Sequence, residues 1–473
     1  MHTRGIKPIF TDAERIKDPA ENGLSMAELA RFFAPLAVTT LLMYITLSLF
    51  NAGLARLPSP ELFISSYAIA QSFAFMVESF IIPIRQLMPA FINNRESYDK
   101  TKKFIMFLSI FVGLLFMLII FSGLARWILE NIMGVEGRIL DEAVRILKVL
   151  TVFPVIVAFR NFFQGLLMKS RNTPLITAGA VVRMLFVATV ILFIKAFSPI
   201  PGGVVAGALL LGAILVEALA MLAGIRMTAG KIDKIVGEIQ ENNSNAKKRE
   251  VTNKSLLGFM FPLILTSFIG TVGTFVVNIG LIRTANPAVA LTAFAVGWDL
   301  GMIFVSPLNM LHQVPVNYLQ EYSQARLKSI KKFMAYLGIM LSLILAVVSF
   351  SPVGHFLLRH YMGVSEEISM WSMDVLKIMA ILPAIAVVRE FYWGLFLKEH
   401  KTKYIVWGKS INLISLGITV AVLTWIPPSN PAIIGAVGML GSQVMELGYL
   451  FWLIRRKGLS QVSLPEVYTT TEN

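Results

Sequence analysis

The sequence predicts an all-α polytopic membrane protein: twelve transmembrane helices in two six-helix bundles, related by a pseudo-twofold axis around a central cavity. Three observations carry this. Of 473 residues, 56% are hydrophobic and only 15% charged, with mean hydropathy +0.71, whereas a soluble chain carries roughly 25% charged residues. Basic residues sort between alternate loops. The second half of the chain repeats the first.

Apolar runs long enough to span a bilayer fall near 33–55, 62–84, 104–125, 146–168, 174–197 and 204–226, then near 256–280, 289–312, 333–354, 375–397, 404–426 and 432–454. Residues 1–30 form a polar tail without the apolar core of a signal peptide, ending in a short surface helix over Ser25–Phe33. Residues 31–226 form the first bundle and 255–457 the second. Residues 227–254, polar and without an apolar face, form a linker containing the glycosylation triplet Asn242–Ser244, and 458–473 a second tail.

One set of loops holds Arg4–Lys17, Arg95–Lys103, Lys169 with Arg171, Arg226–Lys254, Arg326–Lys332, Lys398–Lys403 and Arg455–Lys457. The other holds mainly Arg56, Arg126, Arg138, Lys195, Arg283 and Arg359. The positive-inside rule puts both termini in the cytoplasm of a cell-membrane protein. The net charge of +14 follows from those loops and needs no nucleic-acid partner. Zero cysteines exclude disulfides, thiolate nucleophiles and Cys-bound metals. The expected partners are the bilayer and a small molecule, with the chain acting as a monomer.

The duplication is read at two offsets. At 227, Pro35 matches Pro262, Asn51 matches Asn278, Gly53 matches Gly280, Arg56 matches Arg283 and Pro60 matches Pro287. At 229, Met133–Val135 matches Met362–Val364, and Pro154, Arg160, Gly165, Lys169 and Glu217 match Pro383, Arg389, Gly394, Lys398 and Glu446. An even number of spans per copy gives both copies one orientation. Two such bundles enclose a cavity able to open to either side, the architecture of an alternating-access carrier.

Charges within spans are expensive and mark function by default. They are Glu78, Arg85, Lys148, Arg160, Arg183, Glu217, Asp299, Lys377, Arg389, Glu390, Lys409 and Glu446. Arg160 and Arg389, equivalent in the repeat, either clamp a phosphate or carboxylate bidentately or lock the fold by pairing. Adjacent helical positions point apart, so Glu390 is not the expected partner of Arg389. Arg183 and Lys409, three residues out of register, extend the basic surface or snorkel. Glu217 and Glu446 carry a coupling proton or pair with Arg160, Arg389 or Arg183. Arg85 lies in a Pro-flanked break, Pro83–Pro89, matched by Pro307–Pro315 around His312. Broken helices present backbone groups to ligands. Asn51 and Asn278 bond a substrate or a neighbouring helix. Gly203–Gly207 and Gly297–Gly301 serve packing. Neither a Walker loop nor HExxH nor GxSxG is placed to work, so a membrane-embedded enzyme is disfavoured.

Asn51-Ala-Gly in span one, Val276–Arg283 in span seven, Pro154 through Gly165–Lys169, and Glu446 together resemble the MATE-like transporters of the MOP flippase superfamily. Within it they come nearest the progressive ankylosis protein family, over roughly residues 30–457. The resemblance implies two bundles rocking about a V-shaped cavity. Multidrug members carry an acid in span one; here that region reads LLMYITLSLFNAG, with Ser48 near the position. Progressive ankylosis proteins are associated with export of pyrophosphate, ATP or citrate. The expectation is therefore export of an anionic small molecule, bound by Arg160, Arg389, Arg183, Arg85, Asn51 and Asn278. No cofactor is expected beyond proton or sodium coupling. The alternatives are a flippase for an anionic lipid-linked precursor and a MATE-type multidrug antiporter.

Overall fold

The structure is a computed structural model. It describes residues 24–170, 172–197, 200–229, 232, 234–237, 251–319, 324–398 and 401–456. The outer parts of both tails, the centre of the linker and the triplet Asn242–Ser244 lie outside the described residues.

The first half runs α1 (Met26–Leu54), α2 (Pro60–Glu78), α3 (Ile84–Phe91), α4 (Arg95–Phe121), α5 (Gly137–Val149), α6 (Phe153–Lys169), α7 (Pro174–Leu192) and α8 (Gly202–Ala229). The second half repeats that order as α9 (Asn253–Ile282), α10 (Pro287–Val305), α11 (Gln313–Tyr318), α12 (Gln324–Phe350), α13 (Glu366–Met379), α14 (Leu382–Lys398), α15 (Thr402–Trp425) and α16 (Ile433–Arg456). Irregularities repeat too. A π-helical turn at Ile128–Met133 ends in Gly134 at φ 78°, and its counterpart at Leu357–Met362 ends in Gly363 at φ 74°. Glycine suits this left-handed cap because it has no Cβ to clash.

Among the described residues nine helices are long and apolar enough to cross a membrane, ten when α13 and α14, bent by 40°, form one span. The repeat equivalents α2 with α3 and α5 with α6 bring the count into agreement with twelve. Bands of exposed apolar side chains, such as Phe107, Phe111 and Leu118 on α4 and Ile414, Ile418 and Trp425 on α15, face outward as lipid-contacting surface does.

Three boundaries differ from the sequence reading. The surface helix over Ser25–Phe33 is not separate: Ser25 caps the first turn of α1, which continues unbroken through Pro35. Thr39 donates to the Pro35 carbonyl, and Thr266 does the same for Pro262 in α9. Such hydroxyls help a membrane helix tolerate proline. Spans two and eight break into α2/α3 and α10/α11. Spans four and ten begin earlier than their apolar runs, with the amphipathic α5 and α13 leading into α6 and α14. The polar face of α5, with Asp141, Glu142, Arg145 and Lys148, hid it from a search for apolar runs.

The packing is twofold in pattern. α1 lies on α7 as α9 lies on α15, α2 on α5 as α10 on α13, and α3 on α6 as α11 on α14. A Cβ at Gly165 would come within 2.8 Å of the Arg85 carbonyl and Met88, and one at Gly394 within 2.8 Å of the His312 carbonyl. Glycine is therefore what lets each half-helix after the break seat against its neighbour. Gly207 and Gly297 likewise face Val149 and Ser372–Val375, confirming their packing role. Between the halves, α1 meets α10 while α9 meets α2.

Candidate functional site

We call the side where α1 begins and α16 ends the terminal side, and the other the far side. The helix breaks at 79–83 and 150–152 free α2 and α6 from straight continuation and set Glu78 and Arg160 facing each other. Arg160 Nη2 donates to Glu78 Oε1 at 3.0 Å and to Asn161 Oδ1 at 3.2 Å. Beside them Arg183 of α7 donates to Glu217 of α8 at 2.7 Å, and Gln164 donates to the other Glu217 oxygen at 3.2 Å. Glu217 is buried, and the side chains of Arg160 and Arg183 are 15% and 11% exposed.

Arg85 sits at the start of α3, exposed, and within electrostatic reach of Glu78 and Arg160. Among the described residues it forms no ion pair. The first half thus gathers three arginines against two glutamates, and among the described residues Arg85 is the one of the three without an acid partner.

The second half holds the equivalent cluster in balance. Arg389 is 8% exposed and fully engaged: Nε and Nη2 bond Glu390 Oε1, Nη1 bonds Gln443 at 3.0 Å, and Nη2 bonds Asn309 at 3.2 Å. His312, the repeat partner of Arg85, shares a 2.6 Å hydrogen bond with Glu390. The expectation that Glu390 points away from Arg389 is corrected here. Arg389 bends back along its own helix because His312 holds the Glu390 carboxylate in place and Trp393 supports the guanidinium at 5.1 Å. Buried Glu446 accepts from Asn412 at 3.0 Å and lies 3.9 Å from Lys409. Asn412 is the register equivalent of Arg183, so both glutamates receive a donor from the same helical position. Lys409 enters from one turn earlier.

Asn51 and Asn278 lie at the seam between the halves. Asn51 of α1 donates to the Ala295 carbonyl of α10 at 3.5 Å and to Asp299 Oδ2 at 2.8 Å. Asn278 of α9 donates to the Ala68 carbonyl of α2 at 3.1 Å. Ala68 and Ala295 are themselves repeat equivalents. Toward the far side Arg56 donates to the Tyr361 carbonyl at 3.1 Å and Arg283 to the Ile132 carbonyl at 3.3 Å. Each arginine therefore grips the π-helical turn of the opposite half. On the terminal side Phe91 packs edge-on against Phe259, with centroids 5.4 Å apart.

The sequence named Glu78, Glu390 and Asp299 only in its general set of intramembrane charges, with no site role given to Glu78 or Asp299, and did not single out Gln164, Asn309 or Gln443. The charged ones were visible as intramembrane charges; the neutral amides carried no signal apart from their neighbours.

The family model of the progressive ankylosis protein (ANKH) matches residues 23–296. No curated protein sequence matches the chain. Among solved structures, an inward-facing multidrug-resistance MATE transporter of the MOP superfamily superposes with TM-score 0.67 at 15% identity, over 90% of this chain and 96% of that one. The lipid II flippase MurJ, in an inward closed conformation, gives 0.61 at 11% identity over 90% and 87%. A MOP superfamily transporter from Pyrococcus furiosus, described by the reverse polarity of its binding pocket, gives 0.50 at 16% over 92% and 97%. The fold is that of MOP-superfamily membrane transporters, and with more than half its length matched by the family model, the chain belongs to the progressive ankylosis protein family.

Proposed function

We propose that the protein exports an anionic small molecule of the pyrophosphate, nucleotide or carboxylate type, by alternating access between its two halves in the cell membrane, with both termini cytoplasmic. The observation that carries this is the uncompensated Arg85. It is exposed at a helix break, beside an ion-paired arginine, in a cluster where cations outnumber acids. A guanidinium facing lipid is costly, so an exposed one at this depth belongs on an aqueous path. There it offers a planar fork of donors that matches phosphate or carboxylate.

In this reading Arg160, Arg183 and Arg389 shape the positive field and hold the breaks in place. Each is ion-paired, with Glu78, Glu217 and Glu390 respectively, so a full bidentate grip on cargo requires those pairs to open. Asn51 and Asn278 act on the seam rather than the cargo. A membrane-potential, proton or sodium gradient supplies the coupling.

The test is efflux from proteoliposomes loaded with labelled pyrophosphate, ATP or citrate, alongside a cationic dye and a fluorescent polyprenyl-pyrophosphate lipid. Efflux of a soluble anion supports the proposal. Dye extrusion alone marks a MATE-type antiporter, lipid translocation alone marks a flippase, and either overturns it.

A further inference from the structure

Of the acids inside the spans, four have a basic partner: Glu78 with Arg160 at 3.0 Å, Glu217 with Arg183 at 2.7 Å, Glu390 with Arg389 at 2.8 Å and Glu446 with Lys409 at 3.9 Å. Asp299 is different. Among the described residues no cation pairs with it, and its hydrogen-bond partner is the neutral Asn51 amide at 2.8 Å. It sits near the middle of α10, half-buried, at the contact of α10 with α1.

The duplication sharpens this. The position equivalent to Asp299 is Ser72, whose hydroxyl turns to its own helix and donates to the Ile69 carbonyl. Asn278 consequently has the reciprocal bond to Ala68 and nothing added, whereas Asn51 has the bond to Ala295 and a carboxylate as well. Two otherwise equivalent clasps across one seam differ in a single titratable group.

We infer that Asp299 is a proton-binding site that governs the seam between the two halves. Ionised, Asp299 Oδ2 accepts a charge-assisted hydrogen bond from Asn51 and ties α1 to α10. A bond to an ionised acceptor is roughly twice as strong as a neutral one. A proton taken up on that oxygen removes the charge assistance and lets the seam part toward the far side; its release closes the clasp again. An intramembrane carboxylate without a counter-charge is the kind of group that relays protons in transporters. This deepens the proposed alternating-access reading, naming the residue through which a proton would act.

The charged groups of α13, α14 and α16 near Asp299 have partners of their own. α1 presents Tyr44 and α2 presents Tyr67 toward it. In α13 Asp374 and Lys377 bond each other at 2.9 Å. In α14 Arg389 and Glu390 are paired, with His312 of the segment after α10 bonded to Glu390, and in α16 Glu446 is held by Asn412 and Lys409. The charges of α9 and α12 lie in their terminal-side turns.

The cysteine-free chain allows a test that needs no cargo. Spin labels at Arg138→Cys and Glu367→Cys, exposed and repeat-equivalent on the far side, report the seam in lipid nanodiscs from pH 5.5 to 8.5. The expected result is a population at longer distance that grows as pH falls. Asp299→Asn should hold the low-pH distribution at every pH with its melting temperature preserved, and Asp299→Glu should titrate. A pH-independent distribution in the parent protein overturns the inference, as does an Asp299→Asn variant that titrates normally. A shift that follows sodium-for-choline replacement at fixed pH also overturns the proton assignment. None of these outcomes depends on whether the cargo is an anion.

Discussion

Asn51 and Asn278, equivalent residues of the two repeats, each cross the seam to the carbonyl of the other repeat's equivalent alanine, Ala295 and Ala68, at 3.5 and 3.1 Å. A reciprocal pair of this kind is what a pseudo-twofold interface produces: a contact made once by one copy is made again by the other. Arg56 and Arg283 repeat the pattern toward the far side, on Tyr361 and Ile132.

The arginine clasp predicts a far-side gate. Arg56→Ala with Arg283→Ala removes two hydrogen bonds from charged donors, a total of about 1.4–3 kcal/mol at these partly exposed positions. Alkylation of a single cysteine placed at Ala68, from the far side, should rise about tenfold or more, since about 1.4 kcal/mol is a factor of ten. Each single variant should give a smaller rise of similar size, because the two contacts are equivalent.

The two buried glutamates should differ in what they contribute to stability. Glu217→Gln breaks a 2.7 Å pair with Arg183 and leaves that arginine buried without a counter-charge, a loss on the order of 3 kcal/mol. Glu446 lies farther from its lysine, and its Oε1 has no hydrogen-bond partner among the described residues, so Glu446→Gln should lower the thermal midpoint less. Thermal melts of both variants in the same detergent compare them directly.

Close packing at the breaks gives a third prediction. Gly165→Ala forces a methyl to within 2.8 Å of the Arg85 carbonyl and Met88, an overpacking cost of about 1–3 kcal/mol. The thermal midpoint should fall. Gly394→Ala should do likewise against His312 and Pro315.

The sequence showed where most spans lie because lipid imposes a length and an apolarity that a linear reading detects, and it showed the duplication through residues matched at a fixed offset. It also marked the Pro-flanked breaks at Pro83–Pro89 and Pro307–Pro315, but read spans four and ten as continuous where α5/α6 and α13/α14 are broken. Partner choice was less legible. Glu78 and Arg160 are separated by 82 residues, so nothing local joins them. Arg389 and Glu390 are adjacent, and the helical rule that separates neighbours misled because a long guanidinium can fold back on a carboxylate held by His312. Charge alone paired Arg183 with Lys409, three residues out of register. The true equivalent, Asn412, carries no charge and escaped a search for charges. Asn51 and Asn278 were singled out, but their crossing to opposite halves depends on how two bundles meet.

Arg160 and Arg85 should separate structure from cargo binding. Arg160→Ala strands Glu78 in the interior and should cost stability, by roughly 3–5 kcal/mol if the pair is fully desolvated and less for its partial exposure. Arg85→Ala removes an exposed cation with no acid partner among the described residues and should leave the melting temperature within a degree or two.

The most direct measurement is anion efflux from proteoliposomes carrying the parent protein, Arg85→Lys or Arg85→Ala, at matched incorporation and melting temperature. With Arg85 the free cation on the path, the alanine variant should lose at least tenfold in rate. The lysine variant should keep part of it, since it retains charge but not the planar fork. An alanine variant that exports pyrophosphate, ATP or citrate at the parent rate would contradict the account.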